Sequence, residues 1–537
     1  MVNYPFSDTI RTFSLTFLSI LLLPLSLLTL CLGYVTQYLF PQLITPPANR
    51  EDARDRRTIL VTGVGMAKGL TLARAFHLSG HCVIGADFEA PGIPCSGHLS
   101  RSLSAFYRLP KPGHSSPSNS KTNGAADAYV ERLVDIVQTD GVDLWVSCSG
   151  VASAAEDAVA KEALERRTRC RCVQFDLATT TKLHEKDRFM RETARLGLPC
   201  PETHTVTSQR EILDILDASG LQQSNGSSVD KNDKKQKKFI LKPIGVDDAN
   251  RGNMTLLPLP GPRRETASYL SRHLPSLSAA APWIAQQFVP GGAEYCTHAL
   301  VVRGEVRCFV ACPSAELLMH YRPLPADAAL SRAMLRFTRE FVARASAAEG
   351  EGGEPMTGHL SFDFMVEDEE VTENGFRRKM YAIECNPRAH TAVVLFARPG
   401  PEMRDMVRAY LSVLEPKGTN GSSSASRTNG ASGEANLVTP PADAQSRYWI
   451  GHDLVSLVVH PAYRLVTGRI SLQEFLSGLL VFFTHVLTWK EGTWETWDPW
   501  PAVALYHAYW PLSILDTWWK GQRWSRVNVS TTKMFTC

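Results

Sequence analysis

YAIECNPRAH, residues 381–390, leads from four residues of buried-strand character into a carboxylate, a thiol, an amide and a guanidinium. Glu384, Asn386 and Arg388 fall at period two, and side chains two apart on an extended chain point to the same side. The three polar groups should therefore project into one space. A solvated turn at a strand end would read the same way, so the rest of the chain must decide what shares that space.

Two strands bear on it first. GHLSFDFMV (358–366) and KMYAIEC (379–385) both read as strands, and as antiparallel neighbours they would bring Asp363 beside Glu384 and Asn386. Two carboxylates and an amide oxygen are hard ligands, suited to Mg²⁺ (or Mn²⁺) that keeps phosphate oxygens in its shell. Arg388 is placed to take a phosphate with its forked donors. Lys242 ends the strand FILK (239–242), and Lys186 stands near the start of the helical HEKDRFMRETARLG. Two lysines as point charges on a triphosphate complete an ATP–Mg²⁺ site. Gly245 and Gly252 in the following PIGVDDANRGN would let a loop close on phosphates. In QQFVPGGAEY, the strand-to-turn edge Gln286, Gln287 and Phe288 is set to meet adenine through backbone groups, and Glu294 is a candidate for the ribose hydroxyls.

Further strands, WIAQQFV (283–289) and THALVVRGEVRCFVAC (297–312), carry a turn at Arg303-Gly304, and the amphipathic SRAMLRFTREFVARA is helical. This part reads as one antiparallel sheet flanked by helices, an α+β unit. Upstream, RRTILVTGVGMAKGLTLARAFHLSGHCVIGADFE reads as strand (Thr58 to Thr62), glycine turn, helix (about Gly69 to Ser79) and strand (Cys82 to Ala86), an α/β beginning. Asp87 ends the second strand as in a dinucleotide-binding fingerprint, but Lys68 stands where the third glycine belongs. A Rossmann-like scaffold without a cofactor accounts for the stretch equally.

A net charge of +3 in 537 residues gives no argument for a nucleic-acid partner. Twelve scattered cysteines, with no CxxC pair, read as reduced thiols. From Thr12 to Asn49 no residue is charged, and the segment exceeds the roughly 20 apolar residues that cross a bilayer. Arg50, Arg54, Arg56 and Arg57 follow it, which by the positive-inside rule places the remainder in the cytoplasm. Eight of the eleven tryptophans lie between Trp489 and Trp524, either as a membrane-apposed surface or as a small aromatic-packed domain. The expected organisation is a transmembrane anchor (1–50), a Rossmann-like domain (57–178), a nucleotide-grasping domain (179–415, polar insertion 220–238), a low-complexity linker (416–446) and a Trp-rich region (447–537).

The order of Lys186, Lys242, the hinge strand, Glu294, Asp363 and then Glu384-x-Asn386-x-Arg388 resembles the ATP-grasp superfamily, over about Arg57 to Arg398. Within it the chain looks closer to the mycosporine–glycine synthases. The stretches that carry this are LTLARAFHLSGH, RLGLP, FILKPI with Asp247, Arg251 and Asn253 after it, WIAQQFVPGGAEYCTH, YAIECNPRAHTA and the late YWIGHD. The resemblance implies an ADP-producing ligase that joins an amino acid, glycine foremost, to 4-deoxygadusol through a phosphorylated enol. It also implies that Arg388 steadies the transferring phosphate, and that Arg251, His298 and His390 contact the acceptor or the amino-acid carboxylate. Gln287 departs from the glutamate often found there, PGGAE is one residue longer than PGKE-like forms, and EDEEVTENGFRRK lengthens the hairpin before Glu384. A carboxylate–amine ligase working through an acyl phosphate is the alternative. A membrane-anchored nucleotide-binding scaffold without turnover and a dehydrogenase are the other readings.

Overall fold

The computed structural model describes residues 8–40, 55–112, 123–150, 153–221, 237–244, 254–274, 277–314, 319–348, 355–367, 379–416 and 437–536. Most of the polar insertion, of the linker and of the EDEEVTENGFRRK segment lies outside them, as does Arg251.

The first described element is α1 (Asp8–Leu39), an apolar helix that continues through Pro24. It is the one described helix long and apolar enough to cross a membrane. The α/β unit follows: β1 (Thr58–Thr62), α2 (Ala67–Leu78), β2 (Cys82–Phe88), β3 (Ala105–Leu109), α3 (Asn123–Asp140), β4 (Leu144–Val146), α4 (Ala154–Arg167) and β5 (Arg171–Val173). All neighbours pair in parallel in the order β3-β2-β1-β4-β5. A parallel sheet needs cover on both faces, and TILVT supplies it with an almost wholly buried apolar run. The strand order reverses between β1 and β4, at the end of the sheet where the glycine turn sits.

The α+β unit begins with α5 (Leu177–His184), α6 (Lys186–Arg195), β6 (Thr203–Val206) and α7 (Gln209–Leu221), then β7 (Phe239–Pro243), α8 (Arg263–His273) and β8 (Trp283–Gln287). It continues as β9 (Ala293–Val302), β10 (Glu305–Pro313), β11 (His320–Tyr321), α9 (Ala329–Ala348), β12 (Gly358–Val366), β13 (Met380–Asn386) and α10 (Pro401–Leu411). The strands divide into two sheets rather than the one expected: a small antiparallel β6-β8-β7 and a larger antiparallel β10-β9-β12-β13. The cause is local. Pro290-Gly291-Gly292 interrupts the chain after β8, with Gly291 at φ +65, so β9 starts in a new sheet. The Arg303-Gly304 turn joins β9 to β10 with both residues at positive φ. Phe337 and Phe341 of α9 pack on Phe362 and Phe364 of β12, closing one face of the larger sheet.

The C-terminal part adds β14 (Arg447–Tyr448), α11 (Leu472–Thr488), β15 (Lys490–Glu491), α12 (Trp510–Trp519) and the hairpin β16 (Trp524–Asn528) with β17 (Lys533–Thr536). The strands β14 and β15 join β11 in a third sheet. Trp449, Trp497 and Trp510 are buried in the same core as Ile59, Val61 and Phe76, so these indoles belong to the main body. Trp500 and Trp519 remain on the surface. The fold class is the mixed α/β and α+β one expected, with its single apolar N-terminal helix.

Candidate functional site

The β12–β13 ladder sets Asp363 opposite Glu384, and Ser361 opposite Asn386. A bulge after Asp363 skips Ile383, which keeps Glu384 and Asn386 together at the end of the strand pair. Asn386 Nδ2 donates to Asp363 Oδ2 at 3.2 Å, leaving the amide oxygen for a cation. Lys186, the first residue of α6, places Nζ 3.5 Å from Glu384 Oε2. Lys242 reaches in from β7 of the other sheet and donates to Gln286 Oε1 at 2.8 Å. The positions read from sequence as Lys, Lys, Asp, Glu, Asn and Arg thus meet between the two antiparallel sheets.

Electrostatics describe one field. Burial, then the neighbouring charge of Lys186, bring the Lys242 amine down to about 8, while Glu384, Glu294 and Asp363 pull it back up. Burial, then Glu384 and Glu294, hold the Asp363 carboxyl well above the usual carboxylate range against the opposing pull of Arg388 and Lys186. Crowded carboxylates that resist ionisation are what a divalent cation relieves, and the all-oxygen donor set suits Mg²⁺. The residues therefore fit a Mg²⁺–nucleotide, with the carboxylates for the metal and the lysines and Arg388 for phosphates.

At the edge expected to meet adenine, two backbone donors are engaged within the protein. The backbone N–H of Gln287 donates to Glu202 O (2.8 Å) and that of Phe288 to Lys238 O (2.7 Å), so neither donor is turned outward to a base. Gln286 spends its side chain on Lys242, on Thr203 Oγ1 and on Met190 Sδ, and so positions the lysine. Glu294, the second residue of β9, stands at the exposed rim, where Ser314 Oγ donates to it at 3.0 Å.

His298 and His390 lie behind the site. The His390 N–H donates to His298 Nδ1 at 3.3 Å, and His390 Nδ1 accepts from the Ala392 N–H at 3.2 Å, capping the helical turn Thr391–Phe396. Burial, and after it nearby positive charge, bring both imidazoles down to about 3, which leaves them neutral acceptors. His359 lies beside His298 and bonds Tyr410 Oη at 2.8 Å.

Lys68 is the residue that sequence reasoning missed. It is buried, and its Nζ donates to Ser149 O at 2.9 Å and to Ala389 O at 3.0 Å. It thereby joins the α/β unit to the turn that carries Arg388. The available signal was its position, a lysine where a third glycine was expected. The glycine turn itself is closed to a dinucleotide. Gly65 N–H donates to Asp87 Oδ2 at 2.6 Å, and the first N–H of α2, that of Ala67, donates to Ser530 O at 2.9 Å. Asp87 is thus engaged by the turn itself, and the chain's own C-terminal segment occupies the helix N-terminus where a pyrophosphate would bind.

No family model matches the chain, and no curated protein matches it. Among solved structures, it is similar to N5-carboxyaminoimidazole ribonucleotide synthetase from Thermus thermophilus, at 17% identity and TM-score 0.42 over 66% of this chain and 78% of that one. It is likewise similar to N5-carboxyaminoimidazole synthetase from Staphylococcus aureus, at 13% identity and TM-score 0.41 over 63% and 71% of the two chains. L-amino acid ligase from Bacillus licheniformis aligns at 13% identity and TM-score 0.37 over 63% and 68%. At these values the likeness is one of outline, and the chemistry of the site is read from its own residues.

Proposed function

We propose that the chain is an ATP-grasp ligase, taking ATP and Mg²⁺ and forming a C–N bond with release of ADP and phosphate. We further propose 4-deoxygadusol as its acceptor and glycine as its amine. The observation that supports the ligase reading is the gathering of Lys186, Lys242, Asp363, Glu384, Asn386 and Arg388 at one place, where the charged groups shift one another's protonation; the acceptor and amine rest on the sequence resemblance. Mg²⁺-ATP supplies the phosphoryl group that activates the acceptor. Asp363, Glu384 and Asn386 offer oxygens to the cation, Lys186 and Lys242 set positive charge beside the phosphates, and Arg388 steadies the group in transfer. The acceptor's enol oxygen would take the phosphoryl group, and the amine would then displace phosphate to leave an enaminone. Neutral His298 and His390 act in this scheme as fixed hydrogen-bonding groups rather than as cations for the amino-acid carboxylate.

The phosphate side does not distinguish an enolate from a carboxylate oxygen, so a carboxylate–amine ligase working through an acyl phosphate is the second reading. An amino-acid panel with ATP and 4-deoxygadusol, following ADP and ultraviolet absorbance, separates the two. Amino-acid-dependent ADP with a new ultraviolet chromophore is the expected result. ADP released only with carboxylic-acid acceptors would favour the second reading, and none with any acceptor would overturn both.

We infer membrane association through α1, with the body on the cytoplasmic side as the arginines after it suggest. The helix is docked along its length. Phe13 packs edge-on against Trp518, Ser19 bonds Tyr506 O at 2.8 Å, Ser26 bonds His507 at 2.7 Å, and Tyr34 accepts from Trp500 Nε1 at 2.9 Å. Arg11 also bonds the carbonyl of Trp524. Its other side exposes Phe17, Ile20, Leu21, Leu25, Leu28 and Leu32. A helix held against the body in this way favours lying in the membrane surface over crossing it alone.

A further inference from the structure

Asp453 ends the short helix Ile450–Asp453 with its side chain fully buried. Its two oxygens meet imidazoles brought from distant parts of the chain. His320 of β11 sets Nε2 2.7 Å from Oδ1, and His485 in the last turn of α11 sets Nδ1 2.6 Å from Oδ2. The three ligand atoms lie within 4.8 Å of one another. The Trp489 ring packs against both imidazoles, at 5.7 and 4.3 Å between centroids, and His452 stands 5.9 Å from His320. None of these residues takes part in the nucleotide site described above.

We propose that His320, Asp453 and His485 form a binding site for a divalent d-block cation of the zinc type. Two imidazole nitrogens and one carboxylate oxygen are borderline donors that suit zinc better than Mg²⁺ or Ca²⁺. With bonds of 2.0–2.1 Å, neighbouring ligand atoms around tetrahedral zinc stand ~3.3 Å apart, so the two short contacts would open by about 0.6–0.7 Å while the wider separations, up to 4.8 Å, would close by up to about 1.5 Å. Each neutral imidazole then carries its proton on the other ring nitrogen, and an imidazolium would release one proton. The carboxylate remains charged, and with three protein ligands the fourth position falls to water or to His452. Trp489 supplies the apolar cover that commonly surrounds such a centre. His320 and His485 keep 25% and 12% of their side chains accessible, which gives a cation a way in. The bound ion would fasten three pieces to one another: β11, the helix after β14, and α11.

The test uses the full chain, stripped with a chelator and then offered Zn²⁺ in an excess of Mg²⁺, which occupies the oxygen-ligand site. Retained zinc is counted by atomic absorption after desalting, and Co²⁺ is added in parallel for its visible tetrahedral bands. One equivalent of zinc, a cobalt spectrum and a zinc-dependent rise in thermal midpoint are expected, all lost in His320→Gln and His485→Gln. ADP-forming turnover should stay unchanged in both variants. If the parent retains no zinc, or if folded His320→Gln and His485→Gln retain as much as the parent, the proposal falls. The partly accessible His320 makes its variant the safer one should Asp453→Asn fail to fold.

Discussion

Glu384 faces Asp363 across one rung of the ladder and Lys186 at the start of α6. Replacing it by glutamine keeps the shape and removes one charge from the proposed metal shell. Glu384→Gln should lower amino-acid-dependent ADP release at least ~100-fold, the scale on which single preorganised charge contacts act. Circular dichroism should stay unchanged, and near-normal release would sink the metal assignment. Lys68 makes a different test. Burial, then Arg388, bring its amine from 10.5 down to about 7. The unfolded chain therefore holds more protons on this group between pH 7 and 10.5, so its unfavourable contribution is constant below about 7 and fades as pH rises. Lys68→Met should hold its best stability relative to the parent near pH 6, and lose about 2–3 kcal/mol of that margin by pH 9, at about 1.4 kcal/mol per unit. Urea midpoints at both values check it; an unchanged margin would show that Lys68 is not depressed. Glu384 and Asn386 are legible in the sequence because both stay on one strand two residues apart, whereas Arg388 lies in the turn beyond it, its N–H bonded to Asn386 O at 2.8 Å. Lys68 is not legible, since in one dimension it only spoils a glycine pattern.

Elements were legible where their own patterning decides them. The strands β1, β7, β8, β12 and β13 sit close to where alternation and turn residues place them, and Lys186 opens its helix. What a local pattern cannot carry is which sheet a strand joins, because pairing depends on partners far along the chain. The division after Pro290 is the case in point, and the convergence of His320, Asp453 and His485 is another. The same limit hides how α2 is held. Arg74 on that helix donates Nε to Asp498 Oδ2 at 2.8 Å, Nη1 to Thr493 O at 2.8 Å and Nη2 to Asp498 O at 2.7 Å, all buried. Asp498 also accepts from Ser100 Oγ and from the Arg101 N–H, so one carboxylate joins the α/β unit to the Trp-rich region. Breaking a buried pair leaves a charge without compensation, whereas replacing both partners does not. Asp498→Ala should cost about 3–5 kcal/mol, and the double variant Arg74→Met/Asp498→Leu should recover much of it. Denaturant midpoints of the set decide; equal loss in single and double variants would mean the pair is not what joins the units.

At the scale of the molecule, the inferred membrane association turns on how α1 sits against the body. Composition alone offers a crossing helix, and by length α1 qualifies. The helix also has two unlike stripes. Thr12, Ser19, Ser26, Leu30 and Gly33 recur at helical spacing, and the structure turns this side to the body through Thr12 and Leu30, which are buried, and through Ser19, Ser26 and Gly33, which touch the C-terminal region. Phe17, Ile20, Leu21, Leu25, Leu28 and Leu32 recur on the exposed side. Small and hydroxyl residues inside with bulky apolar residues outside are what close docking beneath a lipid surface asks for. Crossing the bilayer would detach these contacts or take Tyr506, His507 and Trp518 into it along with the helix. In sealed vesicles, a tag placed before Met1 should therefore be cut by added protease together with the body, since both lie on one side. The protein should still resist extraction by alkaline carbonate, and Leu21→Glu/Leu25→Glu/Leu28→Glu should make it extractable while leaving the fold intact. A tag protected from protease while the body is digested would establish a crossing helix, and with it the release of α1 from Tyr506, His507 and Trp518.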